Sequence, residues 1–233
     1  MLKKITALGV FIMLWAGAAC AQFYVSATRM VYQEGSKGSS LTVANKSTQN
    51  VYLVQSWVSD YASDKNDKRF IVTPPLFRLN ESTESIVRII ATGPLNDLPQ
   101  DRETVFWLNI KAIPGDKTAA ENKLSVAFKN RLKLFYRPTE IVGSANDAYK
   151  QIQFSRQGNQ LVVNNPSAYH VTFTVIKAGG VNILKEPVMV MPKAQLSLPL
   201  SASSSVRSVS WQTINDYGGT TPEESATLSN SNE

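Results

Sequence analysis

Short runs of alternating apolar residues, each stopped by turn residues, recur along almost the whole chain and constrain its fold more than any other feature. "FYVSATRMVYQEG" stops at Gly35, "SSLTVANKS" at an Asn/Lys/Ser turn, and "QNVYLVQSWVSDY" at the polar "ASDKNDKR". "RFIVTPPLFRLN" carries Pro74-Pro75, "ESIVRIIAT" stops at Gly93-Pro94, and "ETVFWLNIKAI" stops at Pro114-Gly115. The runs are rich in Val, Ile, Thr, Phe, Tyr and Trp and return roughly every 10–15 residues, the spacing of an antiparallel β-sandwich rather than of βαβ units. No run holds a 3.6-residue period, and a single helical turn is expected only near "PLNDLPQDR".

After Arg137-Pro138 the pattern restarts with "KQIQFSRQG", "NQLVVNNPS", "AYHVTFTVIKAGG", "EPVMVMPK", "AQLSLPLS" and "SVRSVSWQTINDYGG". The loop-like "PTEIVGSANDAY" separates the two sets, which puts a boundary near Ile141–Asn146 and predicts an all-β chain with domains over 22–143 and 144–219. The remaining 220–233, "TTPEESATLSNSNE", is polar and Ser/Thr-rich and is expected to be a disordered tail.

The N-terminus reads as an export signal. Lys3 and Lys4 form a positive n-region, residues 5–16 an apolar stretch too short to span a bilayer comfortably, and Ala19-Cys20-Ala21 a small-x-small cleavage site. The expected signal peptide is therefore 1–21, with a mature chain from Gln22 and no stable membrane anchor. Its removal takes away the only Cys and leaves 22 cations against 18 acids, a net charge of +4. That balance is too mild to point to nucleic acid as a partner, and the exported chain must rely on its apolar cores without cross-links.

Catalytic chemistry has little to work with. His170 is the single His, in a strand-like apolar setting where a structural or surface role is expected. With no second His and no mature Cys, no metal site is expected. No G-x-S-x-G surrounds a Ser, and Gly179-Gly180 and Gly218-Gly219 read as turns rather than phosphate loops. The expectation is a binding protein, not an enzyme, with no cofactor.

One run makes conflicting demands. In "NKLSVAFKNRLKLFYRP", residues 122–138, Leu124, Val126, Phe128, Leu132, Leu134 and Tyr136 share one face of a strand, with Lys129, Arg131, Lys133 and Arg137 between them. On periodicity alone, Leu124, Val126 and Phe128 could belong to the domain's own core or be offered to a partner.

Five segments, in order, resemble the periplasmic chaperones of the chaperone–usher pilus pathway. They are "LPQDRETVFWLNIKAIP" (98–114), "RLKLFYRP" (131–138) and "INDYGG" (214–219), supported by "ATRMVYQEG" near the mature N-terminus and "TPPLFRLN" (73–80). The resemblance covers essentially all of 22–219. It implies two immunoglobulin-like sandwiches set at an angle around a cleft, and a periplasmic location. It also implies donor-strand complementation: the chaperone lends an edge strand to a pilus subunit whose sandwich lacks one, until the outer-membrane usher exchanges it. The implied donor residues are Leu124, Val126 and Phe128 within strand 122–134. The implied anchor for the subunit's terminal carboxylate is Arg29 with Lys133, and the implied interdomain ion network is Glu103, Arg137 and Asp216. The short, Cys-free "GDKTAAENK" loop resembles the short-loop class of the family. Thr73-Pro74-Pro75 is a candidate cis-proline site whose isomer the sequence does not decide. A free donor edge invites pairing, so a self-capping dimer of the unoccupied chaperone is an expectation. The rival reading is a secreted pilus subunit or adhesin with the same sandwich, but such a chain would carry its own disulfide and a free N-terminal extension.

Overall fold

The computed structural model describes residues 22–115, 125–200 and 206–230. The first domain contains β1 (Phe23–Val25), β2 (Arg29–Gln33), β3 (Ser39–Asn45), β4 (Tyr52–Asp60), β5 (Phe70–Thr73), β6 (Leu76–Leu79), β7 (Glu84–Ala91), β8 (Thr104–Pro114) and β9 (Phe128–Arg137). They form two facing sheets, ordered β1-β3-β7-β5 and β2-β9-β8-β4-β6. Alternation decides what each strand buries. On β7, Val87 and Ile89 are fully buried while Ile86 points outward; on β8, Leu108 and Ile110 enter the same core. The Thr73-Pro74 bond is cis.

The second domain contains a short 3-10 turn, Ala148–Gln151, followed by β10 (Gln153–Gln157), β11 (Gln160–Asn165), β12 (Val171–Ala178), β13 (Val181–Asn182), β14 (Val188–Val190), β15 (Ala194–Pro199), β16 (Ser208–Thr213), β17 (Glu224–Thr227) and β18 (Ser229–Asn230). Its sheets run β15-β11-β10-β18 and β13-β12-β16-β17, with β14 also on β12. Phe173, Ile176, Leu161 and Trp211 fill the space between them. The Trp211 indole N–H donates to the Tyr149 carbonyl at 2.9 Å, which satisfies its one polar atom inside the core.

The structure corrects two expectations. Residues 220–230 are not a disordered tail: β17 pairs antiparallel with β16 from Trp211↔Glu224 to Ser208↔Thr227, Leu228 is buried in the core, and β18 pairs with β10. The segment's polarity misled because backbone pairing on a sheet edge is indifferent to side-chain polarity, and Ala226 and Leu228 supply enough apolar surface on the inner phase. The second correction concerns the strand expected from residue 122. Among the described residues it begins at Phe128, opposite Ala112, while 122–124 lie outside the described residues. In this register Val126 would face Pro114, which has no N–H to give the ladder, so a hydrogen bond is lost at that step.

Candidate functional site

The site is built on β9, whose two edges are used unequally. One edge pairs antiparallel with β8 along its whole length, from Ala112↔Phe128 to Thr104↔Tyr136. The other pairs parallel with β2 only from Arg29↔Lys133 to Gln33↔Arg137. Among the described residues, the second edge is therefore open from Phe128 to Leu132. Along the inward face of this one strand, Leu132, Leu134 and Tyr136 are buried in the domain's own core, whereas Phe128 is 51% exposed and Val126, just before the strand, 54%. The apolar row runs past the end of the core it belongs to. Leu124, the third expected donor residue, lies outside the described residues.

Arg29 and Lys133 are register partners where the open edge ends. Phe135, two residues on and on the same outward face, is buried because the second domain covers it, with the His170 ring 5.2 Å away. The two cations thus sit where the domains meet. Arg29 Nη1 donates to the Ile214 carbonyl at 3.3 Å, its guanidinium lies over the Phe135 ring at 5.8 Å, and its buried Nε has no partner among the described residues. Burial depresses the Arg29 pKa, with Asp216 and Glu103 acting in the opposite sense. Lys133 makes no ion pair with a described carboxylate; burial, and then the neighbouring Arg29 charge, lower its pKa to about 8. Two half-desolvated cations thus lie side by side at the domain junction, with donors left over.

Immediately beyond them the structure brings Glu103, Arg137 and Asp216 together. Arg137 Nη2 is 2.7 Å from Glu103 Oε1, and Nη1 is 2.8 Å from Asp216 Oδ2. Burial opposes the Arg137 charge, but the Asp216 hydrogen bond and the Glu103 field outweigh it, so its pKa is raised. Glu103 reaches the second domain by two further routes. Its amide donates to the Ala168 carbonyl at 2.9 Å, and its Oε2 accepts the His170 backbone N–H at 2.8 Å and lies 3.1 Å from His170 Nδ1. Sequence reading had no signal for His170 in this network, since half of its contribution is a backbone amide. Arg137→Ala would strand the Glu103 carboxylate, which is 2% exposed, without its cation. Such a loss costs about 3–5 kcal/mol. The expected result is a clearly lowered urea midpoint for Arg137→Ala, with partial recovery in Arg137→Lys.

The outward face of β9 continues away from the domain junction as a row of cations over aromatic rings. Arg131 stacks on Trp107 at 4.4 Å, and Lys129 lies 5.1 Å from the Trp57 centroid. Tyr61 stacks in turn on Trp107 at 4.9 Å. Asp64 takes a hydrogen bond from Arg131 at 2.9 Å and lies 4.0 Å from Lys129. Lys129 and Arg131, two of the four cations that looked misplaced in the sequence, rest on a tryptophan shelf.

Comparison with known proteins places this architecture. Residues 22–142 match the family described as pili and flagellar-assembly chaperone, PapD N-terminal domain, and residues 147–225 match the pili assembly chaperone PapD C-terminal domain. The probable fimbrial chaperone LpfB of Escherichia coli O157:H7 is 41% identical over 221 residues, covering 94% of each chain. The chaperone protein LpfB of Salmonella typhimurium is 44% identical over 198 residues, covering 83% of this chain and 84% of that one. Among solved structures, the Salmonella enterica SafB chaperone, in complex with the SafA pilin, superposes with a TM-score of 0.79 at 31% identity, over 91% of this chain and 99% of that one. With two family domains spanning nearly all of 22–225, and relatives this similar over most of their length, the chain belongs to the PapD family of pilus-assembly chaperones, fimbrial chaperones of the chaperone–usher pathway.

Proposed function

We propose that this chaperone works in the periplasm, holds pilus subunits by donor-strand complementation along the 122–134 segment, and passes them to the outer-membrane usher. The observation that carries the reading is the open β9 edge: unpaired backbone from Phe128 to Leu132, exposed apolar groups at Val126 and Phe128, and the adjacent cations Arg29 and Lys133 where the edge ends. A subunit lacking one strand of its sandwich needs backbone partners and alternate apolar side chains together, and this edge offers both. The pilin-bound state of the SafB relative supports the same use here.

The direction of pairing follows if Arg29 and Lys133 are the receptor for the subunit's terminal carboxylate. The open edge runs toward Lys133, where β2 takes over the pairing. A subunit strand on this edge whose terminal carboxylate meets Arg29 and Lys133 must end there, and so runs parallel to β9. The carboxylate fixes the register, and a one-residue slip would turn every subunit side chain to the wrong face. The Arg137 network, tying both domains together, holds Arg29 against the second domain and so sets the shape of the receptor. When no subunit is bound, pairing with a second copy would cover the same edge.

Binding by this route is linked to protons. Lys133 titrates at about 8 in the free protein, and a bound carboxylate would raise that value. The complex therefore keeps a proton that the free protein loses above about pH 8, and affinity falls as pH rises through that point, by up to about tenfold per unit. The test is co-expression in a periplasm with the pilus subunit encoded nearby, co-purification, and titration of the recovered pair from pH 6.5 to 9.5. Recovery of a complex with flat affinity below pH 7 and weakening above pH 8 is expected. Failure to recover a complex contradicts the chaperoning of that subunit; a flat profile throughout contradicts the role of Lys133.

A further inference from the structure

Lys129 and Lys111 are directly opposed on β9 and β8. Both are on the outward phase of their strands, alternating with the buried Ala112, Ile110 and Leu132. Like charges placed directly across a ladder repel. Asp64 only partly offsets this. It accepts a hydrogen bond from Arg131 at 2.9 Å, while Lys129 Nζ is 4.0 Å from it. No described carboxylate pairs with Lys111. The shelf beneath is fixed: Trp107 donates to the Tyr61 carbonyl at 3.2 Å and Lys129 lies over Trp57. A strand added to the open edge would lie beside Lys129, with Lys111 one strand further in on β8, and an acidic outward side chain there would draw the Lys129 ammonium away from Trp57 and relieve the repulsion.

Resting on the parallel, carboxylate-anchored pairing proposed above, we infer that the Lys111–Lys129 pair is a second recognition point, which selects an acidic residue in the subunit's final strand four positions before its C-terminus. The spacing follows from strand geometry. Side chains on one face recur every second residue. With the terminal residue at Lys133, the residue two positions earlier lies beside Arg131, whose charge Asp64 already satisfies, and the residue four positions earlier lies beside Lys129. The pairing would therefore read two features of the subunit strand at a fixed separation, its end and one charge.

Synthetic ten-residue strand peptides that differ only at that position test this, with binding to the full-length mature chaperone read from its tryptophan fluorescence. A peptide with Glu four residues before a free C-terminus should bind about 3–5-fold more tightly than its Gln counterpart at low salt. In the Lys111→Gln/Lys129→Gln double variant, whose exchanged side chains lie outside the core, the two peptides should bind alike. Amidating the C-terminus separates the two ideas: it should weaken both peptides while leaving the Glu/Gln ratio in place. Equal binding of the Glu and Gln peptides by the unmodified chaperone, or a ratio that survives in the double variant, overturns the second recognition point. A lack of any amidation effect overturns the carboxylate anchor instead.

Discussion

Lys133→Ala should abolish recovery of the subunit complex while leaving the free chaperone folded. Removing one member of a desolvated charge pair costs about 2–5 kcal/mol in binding, between roughly thirty- and several-thousand-fold in affinity. In the free protein, by contrast, Lys133 contributes repulsion: its pKa is lowered first by burial and then by Arg29. Deleting it removes an unfavourable term from the free fold and, under the proposed anchoring, one member of the charge pair from the complex. The measurement pairs co-purification with a thermal melt. A complex recovered at the level of the unmodified protein sinks the anchor, and an unfolded free variant means Lys133 is structural after all.

Arg29→Ala should lose the complex as well, but with a different signature. Arg29 also bonds the Ile214 carbonyl and covers Phe135, so its loss loosens the domain junction. Arg29→Lys keeps a charge there but not the planar fork that can serve a carboxylate and a carbonyl together. It should restore the melt more fully than the binding.

Much of this was legible in the sequence because it depends on period. Leu132, Leu134 and Tyr136 announce a core-facing strand by alternation alone, and the structure buries all three. The positions of Glu103, Arg137 and Asp216 came from motif resemblance, and the structure brings them within hydrogen-bond distance. What escaped is set by pairing between distant segments. Nothing in "TTPEESATLSNSNE" marks it as the partner of "SVSWQT", since backbone pairing leaves no trace in side-chain polarity. The point where β2 stops covering β9 is likewise absent from either segment read alone, although it determines which part of "NKLSVAFKNRLKLFYRP" is open. His170 was assigned a structural or surface role. Its contacts with Glu103 depend on the two domains meeting, which local sequence does not encode.

Phe128→Glu should leave the melting behaviour of the free chaperone within about 0.5 kcal/mol of the parent, the usual range for a surface substitution. The reason is direct: Phe128 is 51% exposed, and its inward neighbours Leu132 and Leu134 carry the core without it. In the complex the same side chain would enter an apolar groove of the subunit. Full burial of a Phe is worth about 1.5–3 kcal/mol, and an unpaired carboxylate in its place adds a desolvation cost of several kcal/mol more. Binding should therefore fall by at least two orders of magnitude. Val126→Glu should act in the same direction, since Val126 is equally exposed and one step further along the same row. Phe128→Leu is the control, because it retains an apolar group and should keep most of the affinity. The pattern across the three variants separates the donor role from ordinary packing. Loss of binding with an unchanged melt is expected of a side chain held ready for another protein, and a melt that falls in step with binding would return Phe128 to the domain's own core.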